Sequence, residues 1–181
     1  TGRRVVVTNT PDVLTDATAD ITMLLLLGAA RRAYEGERMV REATWSSWAP
    51  TGMLGTHVTG KRLGIFGMGR IGQAIARRAA GFEMKVLYHN RNRIDPGIEQ
   101  RLNASYASRE DLLRQSDFVV LQVPYSPQTH HLIGAAELAL MKPTAVLINS
   151  TRGGVVDDAA LIEALGQGTL RAAGLHVFEN E

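Results

Sequence analysis

Cysteine is absent from the 181 residues, which excludes disulfides, thiolate metal ligands and a cysteine nucleophile. That absence suits a reducing compartment, and the cytoplasm is the expected location. A strong charge imbalance is missing as well. The 20 Lys and Arg against 18 Asp and Glu leave +2, with no basic stripe, so no nucleic-acid partner is expected. No apolar run approaches the roughly 20 residues of a membrane span. The longest, over 21–30, is interrupted by Thr22 and reads as a buried helix, so no membrane partner is expected. No signal-type apolar region follows Thr1-Gly2-Arg3-Arg4. A Gly-x-Ser-x-Gly elbow is lacking too, which argues against a hydrolase. Histidines at 57, 89, 130 and 131 form no cluster with Asp or Glu at metal-ligand spacing in the sequence. No metal is expected.

What is present is an average globular composition, 45% hydrophobic and 21% charged, enough for one domain with a real core. The β-branched run Val5-Val6-Val7 reads as a strand ended by Asn9-Thr10-Pro11. Thr15 or Asp16 can cap a helix that continues to about Glu42, apolar first and charged after Arg31. Trp45, Trp48 and Pro50 then lie in an extended arm. From Lys61 strands and helices alternate. Strands are expected over 62–66, 84–89, 118–123, 145–148 and 170–178. Helices are expected over 70–82, over 108–115 with Ser108 and Asp111 as a capping box, and over 158–165, closed by Gly166. Apolar strands alternating with helices predict an α/β, Rossmann-type doubly wound parallel sheet with helices on both faces.

Gly67-Met68-Gly69-Arg70-Ile71-Gly72 matches G-x-G-x-x-G between a strand and a helix, the context that gives this pattern meaning. The glycines allow a tight turn, backbone approach to a pyrophosphate and close helix–strand packing. About 20 residues on, NAD-binding units place an acid against the ribose 2′-hydroxyl. Here Asn90, 18 residues after Gly72, stands in Tyr88-His89-Asn90-Arg91-Asn92-Arg93 without any acid. Arg91 and Arg93 can pair with a 2′-phosphate, so NADP(H) is expected over NAD(H), which remains possible. A buried strand also emerges into the turn Ser150-Thr151-Arg152-Gly153-Gly154. Ligands of open α/β sheets bind beyond such strand ends, and the Arg152 guanidinium suits a carboxylate.

Together, Asn9-Thr10-Pro11, the 15–32 helix, Gly67–Gly72, Val123-Pro124, 149–157 and Ala173-Gly174-Leu175 with Val177-Phe178-Glu179 resemble the D-isomer-specific 2-hydroxyacid dehydrogenases. The likeness is strongest to the glyoxylate/hydroxypyruvate reductase branch, where Tyr-x-x-Arg goes with NADPH. It covers essentially the whole chain and implies reduction of a small 2-oxo acid to the D-2-hydroxy acid. Arg152 matches the arginine that binds the substrate carboxylate and polarises the 2-oxo group. Glu181, 29 residues on, matches the glutamate that supports the catalytic histidine. Arg70, Ile71, Val123, Pro124, Thr129, Ser150 and Thr151 match cofactor-contacting positions, and Arg91 and Arg93 the 2′-phosphate contacts.

The resemblance implies further that residues 1–181 are the dinucleotide-binding domain, with 61–181 as its Rossmann core. A substrate domain and a carboxyl-terminal segment with the proton-donating histidine are expected outside the chain, which alone should not turn over. The resemblance also implies a homodimer packed through the first helix and the arm. His176 departs from the pattern, standing where the family usually has an Asp near the nicotinamide. An alternative of another class is a non-catalytic NAD(H)-sensing interaction protein of the same fold. Oxidation of formate or phosphite would be favoured by an acid at position 90.

Overall fold

The structure, a computed structural model, describes residues 8, 10 and 13–179. The expected strand over 5–7, and the residues Asn9, Pro11 and Glu181, lie outside the described residues. Among the described residues, six strands form one sheet: β1 (Arg62–Phe66), β2 (Lys85–His89), β3 (Ala104–Tyr106), β4 (Phe118–Leu121), β5 (Val146–Asn149) and β6 (Ala172–Leu175). Their order is β3-β2-β1-β4-β5-β6, and every pairing is parallel. This is the doubly wound order, in which the chain turns to opposite sides from β1 and β4 and leaves a crevice between their carboxyl ends.

Alternation along the strands feeds two cores. Leu63, Ile65, Val86, Phe118, Val120, Val146 and Ile148 face one core, with Met23 and Leu26 from α1 (Thr15–Ala30) and Ile75 from α3 (Arg70–Ala79). Phe66, Val119, Leu121 and Leu147 face the other, with Leu112 and Leu113 from α5 (Arg109–Gln115) and Leu161 from α7 (Asp158–Gly166). A period-2 pattern covered on both faces is what buries β4 and β5 completely. Across α1 and α3, Arg78 donates to Asp20 at 2.7 Å and to Asp16 at 3.1 Å. Both acids are well exposed, so each pair contributes at most about 1 kcal/mol, and buried apolar contacts carry the packing.

The local signals that were legible are used as expected. Ser108 Oγ accepts from the Asp111 N–H at 3.0 Å and donates to the Asp111 carboxylate at 2.6 Å. A further cap, not anticipated from the pattern, is Asp157, which accepts from the Ala160 N–H at 3.1 Å at the start of α7. Two further short elements, α4 (Pro96–Leu102) and α6 (Ala135–Leu140), complete the crossovers; Asp95 caps α4 through the Gly97 and Ile98 N–H groups.

Four expectations are corrected. The helix expected through Glu42 is two helices, α1 and α2 (Ala33–Arg41), because Arg32 sits in the left-handed region at φ 56°. The arm closes the gap: the Thr56 N–H donates to the Ala30 carbonyl at 2.7 Å and satisfies an end group of α1. Leu14 occupies the N-cap of α1 without a side-chain hydrogen bond, so neither Thr15 nor Asp16 caps it. Gly166 is the last residue of α7, and the left-handed turn comes at Gly168, φ 69°. The last strand is also shorter than expected, ending at Leu175.

Candidate functional site

β1 runs into the glycine turn, and both outer glycines are required by contact. Gly67 has φ 99°, and a Cβ there would lie 2.2 Å from the Gln122 carbonyl oxygen at the end of β4. A Cβ at Gly72 would lie 2.2 Å from the Gly67 carbonyl oxygen, so α3 rests directly on the turn. Gly69 is different, because a Cβ there would meet nothing within 4 Å. Its backbone faces an open cleft of about 310 Å³ lined by residues that include Gly69, Arg70, Ile71, Gly72 and Gln122. Gly69 is the N-cap of α3 and offers no side-chain cap, so the first-turn N–H groups face that space with the positive end of the helix dipole. Ile71 is half-buried and packs on the first core.

Asn90 secures this turn from the end of β2. Its Oδ1 accepts from the Met68 N–H at 2.7 Å, and the Gly67 N–H donates to the His89 carbonyl at 3.0 Å. An asparagine therefore stands where an acid would meet the ribose, with its carbonyl committed to the loop. Arg91 is exposed and has no hydrogen bond or ion pair among the described residues.

Arg93 is held differently. Its Nε and Nη2 donate to the two Glu99 carboxylate oxygens, each at 2.8 Å. Tyr88 OH donates to Glu99 Oε1 at 2.6 Å and accepts from the Ile94 N–H at 3.0 Å. These donors, Arg93 first and Tyr88 second, lower the Glu99 pKa to about 2. Tyr88 is raised above its ordinary value, by burial first and the Glu99 hydrogen bond second. Sequence reasoning missed Glu99, because its partners lie 6 and 11 residues away across a turn. His89 is a strand-end residue packed near Phe66 and Tyr106, with Nδ1 at 3.0 Å from the Ala107 carbonyl.

At the far side of the crevice, β5 ends in Asn149, which is 1% exposed and builds the next turn. Its Nδ2 donates to the Arg152 carbonyl at 2.9 Å. Its Oδ1 accepts from the Thr151 N–H at 3.1 Å and the Thr151 hydroxyl at 2.8 Å. The exposed Arg152 side chain then leaves the strand end, with Nη1 donating to the Thr151 carbonyl at 2.7 Å. Ser150 faces inward instead. Its hydroxyl lies 2.7 Å from Thr22 Oγ1 and accepts from Gln122 Nε2 at 2.7 Å. That buried network ties α1 to the ends of β4 and β5, a function for Ser150 and Gln122 that no local pattern announced.

The loop after β4 carries half-buried Val123 and exposed Pro124, and Thr129 folds it back. Thr129 Oγ1 donates to the Pro124 carbonyl at 2.7 Å and accepts from the Ser126 N–H at 2.8 Å. His176 is exposed beside the Arg152 turn, and its N–H donates to the Asn149 carbonyl at 2.9 Å. The turns that follow β1, β2, β4, β5 and β6 thus share one edge of a parallel sheet. The expectation that no Asp/Glu/His group stands at metal spacing is corrected. His130, His131 and Glu179 come together in space although Glu179 lies 48 residues beyond His131.

Residues 23–181 match the sequence profile of the D-isomer specific 2-hydroxyacid dehydrogenase, NAD binding domain. A glyoxylate reductase of Pyrococcus horikoshii is 54% identical over 185 aligned residues, covering 100% of this chain and 55% of that protein. One from Aeropyrum pernix is 50% identical over 179 residues, covering 97% of this chain and 53% of that protein. The chain spans about half the length of the curated relatives it matches. A solved glyoxylate reductase from Paecilomyes thermophila superposes with a TM-score of 0.87 at 42% identity, covering 95% of this chain and 51% of that one. The D-lactate dehydrogenase of Aquifex aeolicus, solved with NAD and lactic acid, gives 0.85 at 33% identity, with 94% and 50% covered. The glycine turn, the parallel strand order and these matches agree: the chain belongs to the D-isomer specific 2-hydroxyacid dehydrogenase family, as its NAD-binding domain.

Proposed function

We propose that the protein containing this chain reduces a small 2-oxo acid of the glyoxylate or hydroxypyruvate type to the D-2-hydroxy acid, using NADPH. The observation that carries the reading is the pair of turns at one sheet edge, Gly67–Gly72 open for a dinucleotide and Ser150–Arg152 presenting a guanidinium. The residues fit a nicotinamide dinucleotide: Gly69 leaves open space, α3 has no side-chain cap on its first N–H groups, and no acid stands at 90–93 after β2.

A bound dinucleotide supplies the hydride. The chain's own residues bind, orient and stabilise. The N–H groups at Gly69–Gly72 hold the pyrophosphate, with Arg70, Ile71, Val123, Pro124, Thr129, Thr151 and His176 along the remaining cofactor surface. Asn90 holds the loop, and Arg91 meets the 2′-phosphate with Arg93 adding charge from its Glu99 fork. Arg152 binds the substrate carboxylate and gathers negative charge developing on the 2-oxo oxygen. Glu181 supports the histidine that donates the proton in the complete enzyme. Ser150 acts from below, fixing the turn through Thr22 and Gln122.

The enzyme is proposed to be a homodimer. α1 and the arm leave Leu24 (62% exposed), Trp45 and Trp48 (76%) uncovered, an apolar surface that a second copy would bury. A monomeric mass by light scattering of the full-length protein contradicts this. The activity is tested by NADPH consumption with glyoxylate, hydroxypyruvate and pyruvate as substrates of the full-length protein. Turnover of a 2-oxo acid, abolished by Arg152→Ala, is expected; no turnover with any of them overturns the reading.

A further inference from the structure

His130 and His131 are neighbours in the chain, and neighbouring residues of extended backbone point to opposite sides. His131 instead adopts φ 47°, and the two imidazoles lie side by side with centroids 3.9 Å apart and planes 24° from parallel. Glu179, from the segment after β6, reaches the same place, with Oε1 at 2.9 Å from His131 Nε2. One ring nitrogen of each histidine and one carboxylate oxygen of Glu179 all lie within 4.8 Å of one another. Both rings have a partner on Nδ1's side. Tyr125 OH lies 3.2 Å from His130 Nδ1, and Asp157 Oδ2 faces His131 Nδ1 at 4.0 Å. Metal-binding imidazoles commonly have a carboxylate behind the nitrogen that does not bind the ion; Asp157 stands on that side of His131, beyond hydrogen-bond distance at 4.0 Å.

We propose that His130, His131 and Glu179 form a binding site for a divalent transition-metal ion, with zinc as the ion that suits two imidazoles, one carboxylate and a fourth, open position. Zinc–nitrogen bonds of about 2.0–2.1 Å place neighbouring tetrahedral donors roughly 3.3 Å apart. His131 and Glu179 are already within that spacing. The remaining closure falls on His130, whose exposed side chain must turn from its contact with Tyr125 OH and its stacking on His131. The bound ion joins the loop before α6 to the segment after β6, two stretches otherwise linked by side-chain contacts and turns. The inference stands apart from the hydride-transfer reading, since none of its three donors is assigned to that chemistry.

Calorimetry of the untagged full-length protein with zinc chloride tests it, alongside thermal melts with zinc or magnesium. One zinc is expected to bind per chain and raise the melting temperature, because the ion binds the folded state; magnesium, which prefers oxygen, does not. His130→Asn and Glu179→Gln each weaken zinc binding by about 10-fold or more, whereas His57→Asn, at an exposed histidine elsewhere, leaves it unchanged. His130→Asn decides the matter if Glu179→Gln melts low without metal, since the interactions of the His130 side chain among the described residues are those with Tyr125 and the neighbouring ring. Absence of binding at millimolar zinc, or binding that His130→Asn does not weaken, overturns the proposal.

Discussion

Arg91→Ala separates the two arginines after β2, which look equivalent in the sequence and are not in the structure. Arg93 has its Nε and Nη2 committed to Glu99, whereas Arg91 has no partner among the described residues. A charge-assisted hydrogen bond to a phosphate contributes about 1.5–3 kcal/mol. At 1.4 kcal/mol per factor of ten, losing one such contact lowers binding by about 10- to 100-fold. The assay is kcat/KM of the full-length enzyme with NADPH divided by the value with NADH. Arg91→Ala is expected to lower that ratio 10- to 100-fold, almost wholly through NADPH. Arg93→Ala changes the ratio less, because Glu99 already neutralises much of its charge. It lowers the melting temperature as well, because a buried carboxylate loses its bidentate partner. An unchanged ratio in Arg91→Ala refutes the assignment of the 2′-phosphate to this side chain.

Asn90→Asp keeps an acceptor for the Met68 N–H but adds the charge that repels a 2′-phosphate, so it should shift preference toward NADH by at least tenfold; the same kcat/KM ratio checks it. Gly72→Ala places a methyl 2.2 Å from the Gly67 carbonyl oxygen and should cost about 1–3 kcal/mol, lowering the melting temperature by roughly 2–10 °C. An unchanged midpoint would contradict the close approach of α3 to the turn. Glu99, held at a pKa of about 2, contributes stability that is present above the unfolded carboxylate pKa of about 4.3 and disappears as pH falls toward 2. Urea-unfolding free energies over that window should therefore fall more steeply for the wild type than for Glu99→Gln, and parallel curves would contradict the pairing.

The alternation of apolar strands with helices, and the glycine turn between β1 and α3, were readable because each rests on short-range pattern: the short run at 62–66, G-x-G-x-x-G at 67–72, and Ser108 with Asp111 at a helix start. The break at Arg32 was not readable. No proline or glycine stands at it, and the Thr56 N–H that meets the end of α1 there comes from well beyond any local window. The same holds for the site. Arg152, and Arg91 together with Arg93, announced themselves as cations after strand ends, but Glu99, Gln122 and Asn149 act through partners that only the fold assembles. The family resemblance implies a cofactor contact at Ser150, yet its hydroxyl is spent inside, on Thr22 and Gln122. His130 and His131 were set aside on spacing alone, which cannot show a left-handed residue turning two adjacent rings to one side.

The central claim is that the crevice beside Gly67–Gly72 holds a nicotinamide dinucleotide bearing a 2′-phosphate. Calorimetric titration of the full-length protein with NADPH and, separately, NADH tests it most directly. The account predicts one site per chain for each, with NADPH tighter by at least tenfold. Equal or tighter binding of NADH would contradict the cofactor assignment, and binding of neither would contradict the site itself.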